Sequence, residues 1–171
     1  MELDIKWTNL ERVLNEFADE VITTARGNLD TNNTNASHYL YDSLDKIVKV
    51  PDADGNDSYF SVSISLADYW RYVEEGTGPG HVPDARGTYW PKIQPLKDWV
   101  SNKPGVPKDD AFAYAVRGKI HASGTTAQPF FQPAVDEALA RFEIRIEEAI
   151  EQDIYDYING LVSKGLEDAL T

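Results

Sequence analysis

The sequence predicts an α+β domain: a small antiparallel sheet packed by an N-terminal helix and a long C-terminal helix, with short helices between. Three observations carry this. Apolar residues recur at three- and four-residue spacing near both ends of the chain, one central run alternates apolar residues with serine, and stretches rich in Gly, Pro and Asn separate these segments. The 171 residues suit one domain, 1–171, and a chain of this size buries roughly 70% of its unfolded surface without covalent staples.

Leu10, Val13, Leu14, Phe17, Val21, Ile22 and Ala25 line one helical face. Thr8 can cap this helix with Glu11 three residues later, and Gly27 can end it, giving a helix over 8–27. A polar connector over 28–35 and a short helical turn over 37–44 follow. Runs 46–50 and 59–66 flank an Asp- and Gly-rich turn, and in the second run Phe60, Val62, Ile64 and Leu66 alternate with Ser61, Ser63 and Ser65. That pattern is a hairpin with one dry face. Residues 67–75 read as helix, whereas 76–91 hold too much Gly and Pro for regular structure and form an exposed or partner-bound loop. Leu96, Trp99 and Val100 mark a helix over 94–102, and Phe112, Ala113, Val116 and Ile120 another over 109–121, with a stiff turn over 103–107 between them.

The last helix begins in the block Ala127, Gln128, Pro129, Phe130, Phe131, Gln132, Pro133, Ala134. Pro129 biases Gln128 toward extended backbone and Pro133 suits a first helical turn, so Phe130 and Phe131 stand at a rigid corner. Such a corner either anchors a core or meets a partner. Beyond it, Val135, Ala138, Leu139, Phe142, Ile146, Ala149, Ile150, Ile154, Tyr157 and Leu161 hold one stripe, a rod of roughly 40 Å. Ile144, Tyr155 and Val162 align on the opposite side. Either a small domain covers this helix on both sides, or its second face meets a neighbouring copy. Eight acids and two bases, Arg141 and Arg145, lie between Asp136 and Asp156.

Composition excludes several functions. Twenty-nine acidic against sixteen basic residues leave a formal charge of −13, which repels a phosphate backbone, so tight nucleic-acid binding is not expected. The acidity serves solubility, or keeps a surface passed by DNA from holding it. No cysteine is present, which removes thiolate catalysis and cysteine metal sites and fits a reducing compartment. The first residues lack a signal-peptide stretch and no run approaches a membrane span, so the chain reads as not secreted and free of membrane. The glycosylation patterns at Asn32, Asn35 and Asn56 then mark only polar loops.

No catalytic constellation is expected. His38, His81 and His121 are scattered without zinc-ligand spacing. Asp52, Asp54 and Asn56 imitate the start of a calcium loop, but its sixth position is Asp57 and its twelfth Ser63. Gly76, Gly78 and Gly80 lack the following Lys and Ser or Thr of a phosphate loop, and Pro79 removes an amide donor. Glu74 and Glu75 point to different sides of a helix, and Ser123 lacks a nucleophile elbow. The expectation is a protein that is no enzyme and has no cofactor or metal.

Two separated phrases carry a resemblance: Tyr72, Val73, Glu74, Gly76 and Thr77, and then Pro129, Phe130, Pro133 and Ala134 opening the final helix. With these, the chain resembles the small neck or tail-completion proteins of long-tailed bacteriophages, the minor tail components of head-tail joining. The likeness covers roughly residues 8–160. It departs from simpler members in the stretch with Pro91, Pro95, Trp99 and the helix over 111–121 between the phrases, and in Gln132 where relatives are often basic. The resemblance implies a structural virion protein assembled in the host cytoplasm. Its copies would form a six-fold or twelve-fold ring against neighbouring connector and tail proteins, around DNA that passes without being held. A head-to-tail ring needs two unlike patches per subunit. The assembly residues expected are Tyr72, Glu74, Gly76, Thr77, Pro129, Phe130, Phe131 and Pro133, with Ile144, Tyr155 and Val162 on the last helix. Two further readings are an acidic DNA mimic that inhibits a host protein, and a metal-dependent hydrolase built on Asp52, Asp54, Glu74 and a histidine.

Overall fold

A computed structural model describes residues 5–32, 38–51, 59–77 and 90–169. The fold is α+β and mainly helical. Helix α1 (Thr8–Thr31) and the short α2 (Tyr39–Asp42) precede strands β1 (Asp45–Lys49) and β2 (Ser61–Ser65). Helices α3 (Trp70–Glu74), α4 (Ile93–Asn102), α5 (Asp110–Ser123) and the long α6 (Phe131–Ala169) complete it. The contacts gather into two compact units. The first holds Met1–Thr23, Asp45–Ser65 and Ala134–Thr171; the second holds Thr24–Leu44 and Leu66–Pro133. Among the described residues no helix is long and apolar enough to cross a membrane.

In the first unit the predicted hairpin forms, β1 antiparallel to β2 in the register Lys46 to Ile64 and Val48 to Val62. Its dry face is real on the inner strand positions. Val48 and Val62 pack with Trp7, Phe17, Ile146 and Ile150 against a core of Leu10, Val13, Leu14, Phe142 and Ala149. Phe17 meets Phe142 edge-on at 5.8 Å, and Trp7 meets Phe60 edge-on at 5.0 Å. Ile47 falls on the other face with Ser63 and is exposed. Lys46, although on the inner face, directs its amine to Asp19 at 2.6 Å and to the Asn15 carbonyl at 3.1 Å. Arg145 pairs with Glu16, and Arg141 with Glu20 and Glu137. The Arg145 and Arg12 guanidiniums hold the Glu16 carboxyl below its ordinary range.

The start of α1 corrects the capping expectation. Thr8 is the first helical residue, not the cap, and Glu11 donates its N–H to the Trp7 carbonyl at 2.9 Å. The free amides of Asn9 and Leu10 instead donate to the carboxylate of Asp153, at 3.0 and 2.9 Å. Asp153 is only 3% exposed and comes from α6, 144 and 143 positions along the chain. A local capping rule cannot see such a partner.

In the second unit α1 continues past Gly27 to Thr31. Gly27 does not adopt the left-handed conformation that a glycine stop requires, and the added turn is held by tertiary contacts. Leu29 is buried, and the Asn28 side-chain amide donates to the Phe130 carbonyl at 3.0 Å. Arg26 donates to the carbonyls of Tyr41 and Leu44, and the Ser43 hydroxyl accepts the Ala67 amide at 2.9 Å. Helices α4 and α5 pack together beside buried Val100 and Ala113. Asp109 caps α5 by accepting the Phe112 amide at 2.7 Å, and Gly105 turns the connection with φ +75°. Segment 67–75 contracts to the five residues of α3.

Candidate functional site

The two phrases singled out by resemblance meet in the second unit. Residue by residue, the contact starts at α3, whose last residue is Glu74. Its Oε2 accepts the amides of Phe130 and Phe131 at 2.8 and 2.9 Å, and its Oε1 accepts the amide of Gln132 at 2.9 Å. An α-helix opens with four amides lacking an intrahelical acceptor. Here three bond to one carboxylate, and the fourth position is Pro133, which has no amide hydrogen. The carboxylate also sits where the helix dipole is positive. Glu74 is 9% exposed, and this set of charge-assisted bonds satisfies its buried charge.

Two residues on, Gly76 has φ +67°, and a Cβ there would lie 2.4 Å from the Thr125 carbonyl oxygen and 2.5 Å from the Ala127 nitrogen. Only glycine lets the strands approach so closely. Thr77 and Thr125 then form an antiparallel bridge with amide-to-carbonyl distances of 3.0 and 2.9 Å, their hydroxyls 3.1 Å apart. Gln128 donates its amide to the Val73 carbonyl at 2.8 Å. Each residue of the Glu-x-Gly-Thr phrase therefore has a defined duty toward the segment that opens α6.

The aromatic corner divides. Phe130 is fully buried, so its side chain is part of the packing of this unit and not a surface a partner can touch. Phe131 is half-buried and meets Trp70 edge-on at 5.7 Å. Pro129 and Pro133 are exposed, with the Pro129 carbonyl accepting from Asn32 at 3.2 Å. Tyr72 is exposed at 41%, and near it in sequence Tyr69 stacks on exposed Tyr39 with ring centres 6.1 Å apart. Burial raises the Tyr69 hydroxyl above its ordinary range.

In the first unit, Ile144, Tyr155 and Val162 are exposed at 67, 61 and 56%. The apolar stripe of α6 differs from expectation at Leu139 and beyond Asp153. Leu139, Ile154 and Leu161 lie exposed where the stripe predicts burial, and Ile158 and Leu166 join the exposed end. The helical spacing that suggested a covered stripe carries no information on where the covering elements stop.

His38 meets Tyr41 edge-on at 5.8 Å, His121 stacks on Trp90 at 4.0 Å, and Arg117 covers Trp90 and donates to the Pro91 carbonyl at 2.7 Å. Among the described residues no three His, Asp or Glu side chains gather as a metal site. Asp52, Asp54, Asn56, Asp57, Gly78, Pro79, Gly80 and His81, and the loop 76–91 from residue 78 to residue 89, lie outside the described residues. The chain matches no protein-family model, no curated protein and no solved structure.

Proposed function

We propose that this chain is a structural virion protein that forms or joins a ring at the head-tail junction of a tailed phage, linking connector and tail around the DNA channel. The observation that supports it most is the interlock of the two phrases. Chance likeness in two short motifs gives no reason for them to meet. Here Glu74, Gly76 and Thr77 each bond to or accommodate residues 125–132, which is the behaviour of one structural device split across the sequence.

The surfaces are compatible with assembly. A subunit that closes a ring and also joins connector or tail proteins needs unlike patches, and the chain exposes Tyr39, Tyr69 and Tyr72 in one unit and Ile144, Tyr155 and Val162 in the other, the latter open to a neighbouring protein of a different kind. The formal charge of −13 suits a wall that DNA must slide past. Electron microscopy and mass spectrometry of purified particles test the assignment: the chain is expected at the neck in ring stoichiometry, and its absence from particles sinks it. Recovery of the free monomer bound to a host nuclease or polymerase, with none in particles, would establish the DNA-mimic reading instead.

A further inference from the structure

The outward face of α6 is acidic around a single exposed Ile144 in its first half and apolar in its second. Its first half carries Glu143, Glu147, Glu148 and Glu151, all exposed, and no cation among the described residues pairs with any of them, since Arg141 and Arg145 are engaged by Glu20, Glu137 and Glu16. Its second half exposes Ile154, Ile158, Leu161, Val162 and Leu166, between 37 and 61%. Ile154, Ile158, Val162 and Leu166 are four apart and form a single ridge, with Leu161 and Gly165 beside it. The core side of the same helix, through Ala149 and Asp153, faces away from this ridge by the helical repeat.

We infer that residues 143–166 of α6 are a docking strip for a basic amphipathic helix of another protein, whose apolar half covers the ridge and whose Lys and Arg half lies on the glutamates. Charge selects this occupant. A second copy laid parallel sets glutamates on glutamates, and one laid antiparallel along the full strip sets glutamates on isoleucines, both at a cost in free energy; a copy offset to avoid both covers only the apolar half and leaves the glutamates without a counter-charge. A basic helix meets neither penalty, and it covers a strip of about 36 Å in a groove-free, helix-on-helix mode. An anionic membrane is repelled by the same acids. The inference rests on this face alone and holds whether or not the chain resides in a particle.

The test uses the full chain and three synthetic helical peptides of matching length: one with an apolar half and a lysine half, one with the lysines replaced by glutamate, and one with the lysine half kept and the apolar half replaced by serine. The lysine-apolar peptide is expected to bind at least about tenfold tighter than either control, and to weaken as salt rises. Ile158→Asp and Leu161→Asp should abolish binding while leaving the melting temperature unchanged, because both side chains are half in water already. The double change Glu147→Lys with Glu151→Lys should reverse the preference between the lysine and glutamate peptides. Equal binding of all three peptides, or no reversal by the charge swap, overturns the inference. So does a concentration-dependent doubling of mass that Ile158→Asp removes, which would make the ridge a contact between copies.

Discussion

Glu74 and Pro133 divide between them the four amide positions that open α6: three hydrogens go to the carboxylate, and the fourth was never there. Removing the carboxylate therefore leaves one buried and two part-buried amides at the helix start without their acceptor. Glu74→Ala is expected to lower unfolding free energy by about 3 to 5 kcal/mol, and Glu74→Gln by about 2, since the amide keeps one acceptor but turns a donor toward two N–H groups. Urea unfolding checks both. A loss below about 0.5 kcal/mol for Glu74→Ala would mean water replaces the carboxylate without penalty.

Two glycines with opposite surroundings give an internal contrast. Gly76 combines positive φ with backbone 2.4 Å from a would-be Cβ, so Gly76→Ala must push Thr125 and Ala127 away and break the Thr77 bridge. The expected cost exceeds about 2 kcal/mol. Gly27 sits inside α1 with nothing within 4 Å of its would-be Cβ, and Gly27→Ala should stabilise by about 0.5 to 1 kcal/mol. Thermal melts of the two variants should move in opposite directions, and a parallel shift would refute the local geometry.

Asp153 does for α1 what Glu74 does for α6, again from a distant part of the chain. Asp153→Ala leaves the Asn9 and Leu10 amides without their acceptor, one of them buried, and should cost about 2 to 3 kcal/mol. Amide exchange reads this directly. Asn9 and Leu10 should lose protection before the middle of α1 does, and unchanged exchange there would show that Asp153 is not the cap.

Much of the scaffold is legible in the residues. The alternation from Phe60 to Leu66 needs only a two-residue period and one dry side, and the hairpin follows with Val62 inward and Ser63 outward. The helices over 94–102 and 109–121 follow from the same kind of local repeat. What local rules miss is any partner far along the chain. Thr8 and Glu11 satisfy a capping pattern, yet the cap is Asp153; Gly27 satisfies a stop pattern, yet Asn28 and Leu29 find contacts that carry the helix on. Of the candidate site, the phrases were visible as phrases, but the duty of Glu74 depends on residues 56 to 58 positions away. The exposed end of α6 was invisible for a related reason: Ile154 and Leu161 have the spacing of core residues, and exposure is decided by where neighbours end.

The acid side of the stability profile should carry a contribution from Glu16. Its hydrogen bonds to Arg145 first and Arg12 second lower its folded pKa below the unfolded value. A carboxylate with a depressed folded pKa contributes stability that is fully present above its unfolded pKa and is lost as pH falls through the folded one. The wild type should thus exceed Glu16→Gln in melting temperature near neutrality by a small amount, since the group is exposed and salt-screened. That difference should shrink to nothing on acidification below the ordinary glutamate range, and should also fall in high salt. A difference that persists at low pH would point to packing, not charge.

Phe130 and Phe131 are adjacent, chemically identical and differently placed, so truncating each in turn separates interior packing from surface contact. Phe130 is fully buried, with its own amide and carbonyl bonded to Glu74 and Asn28, so the cavity left by Phe130→Ala cannot collapse freely. A loss of about 3 to 5 kcal/mol is expected. Phe131 keeps part of its ring in solvent and loses chiefly its edge contact with Trp70, so Phe131→Ala should cost about 1 to 2 kcal/mol. If the ring proposal is right and this corner also meets a neighbour, Phe131→Ala should reduce particle yield beyond what its lowered stability explains. A stability-matched control, a surface glycine in α5 or another variant with the same melting temperature, makes that comparison. Equal yields for the matched pair would confine Phe131 to folding and remove it from the assembly surface.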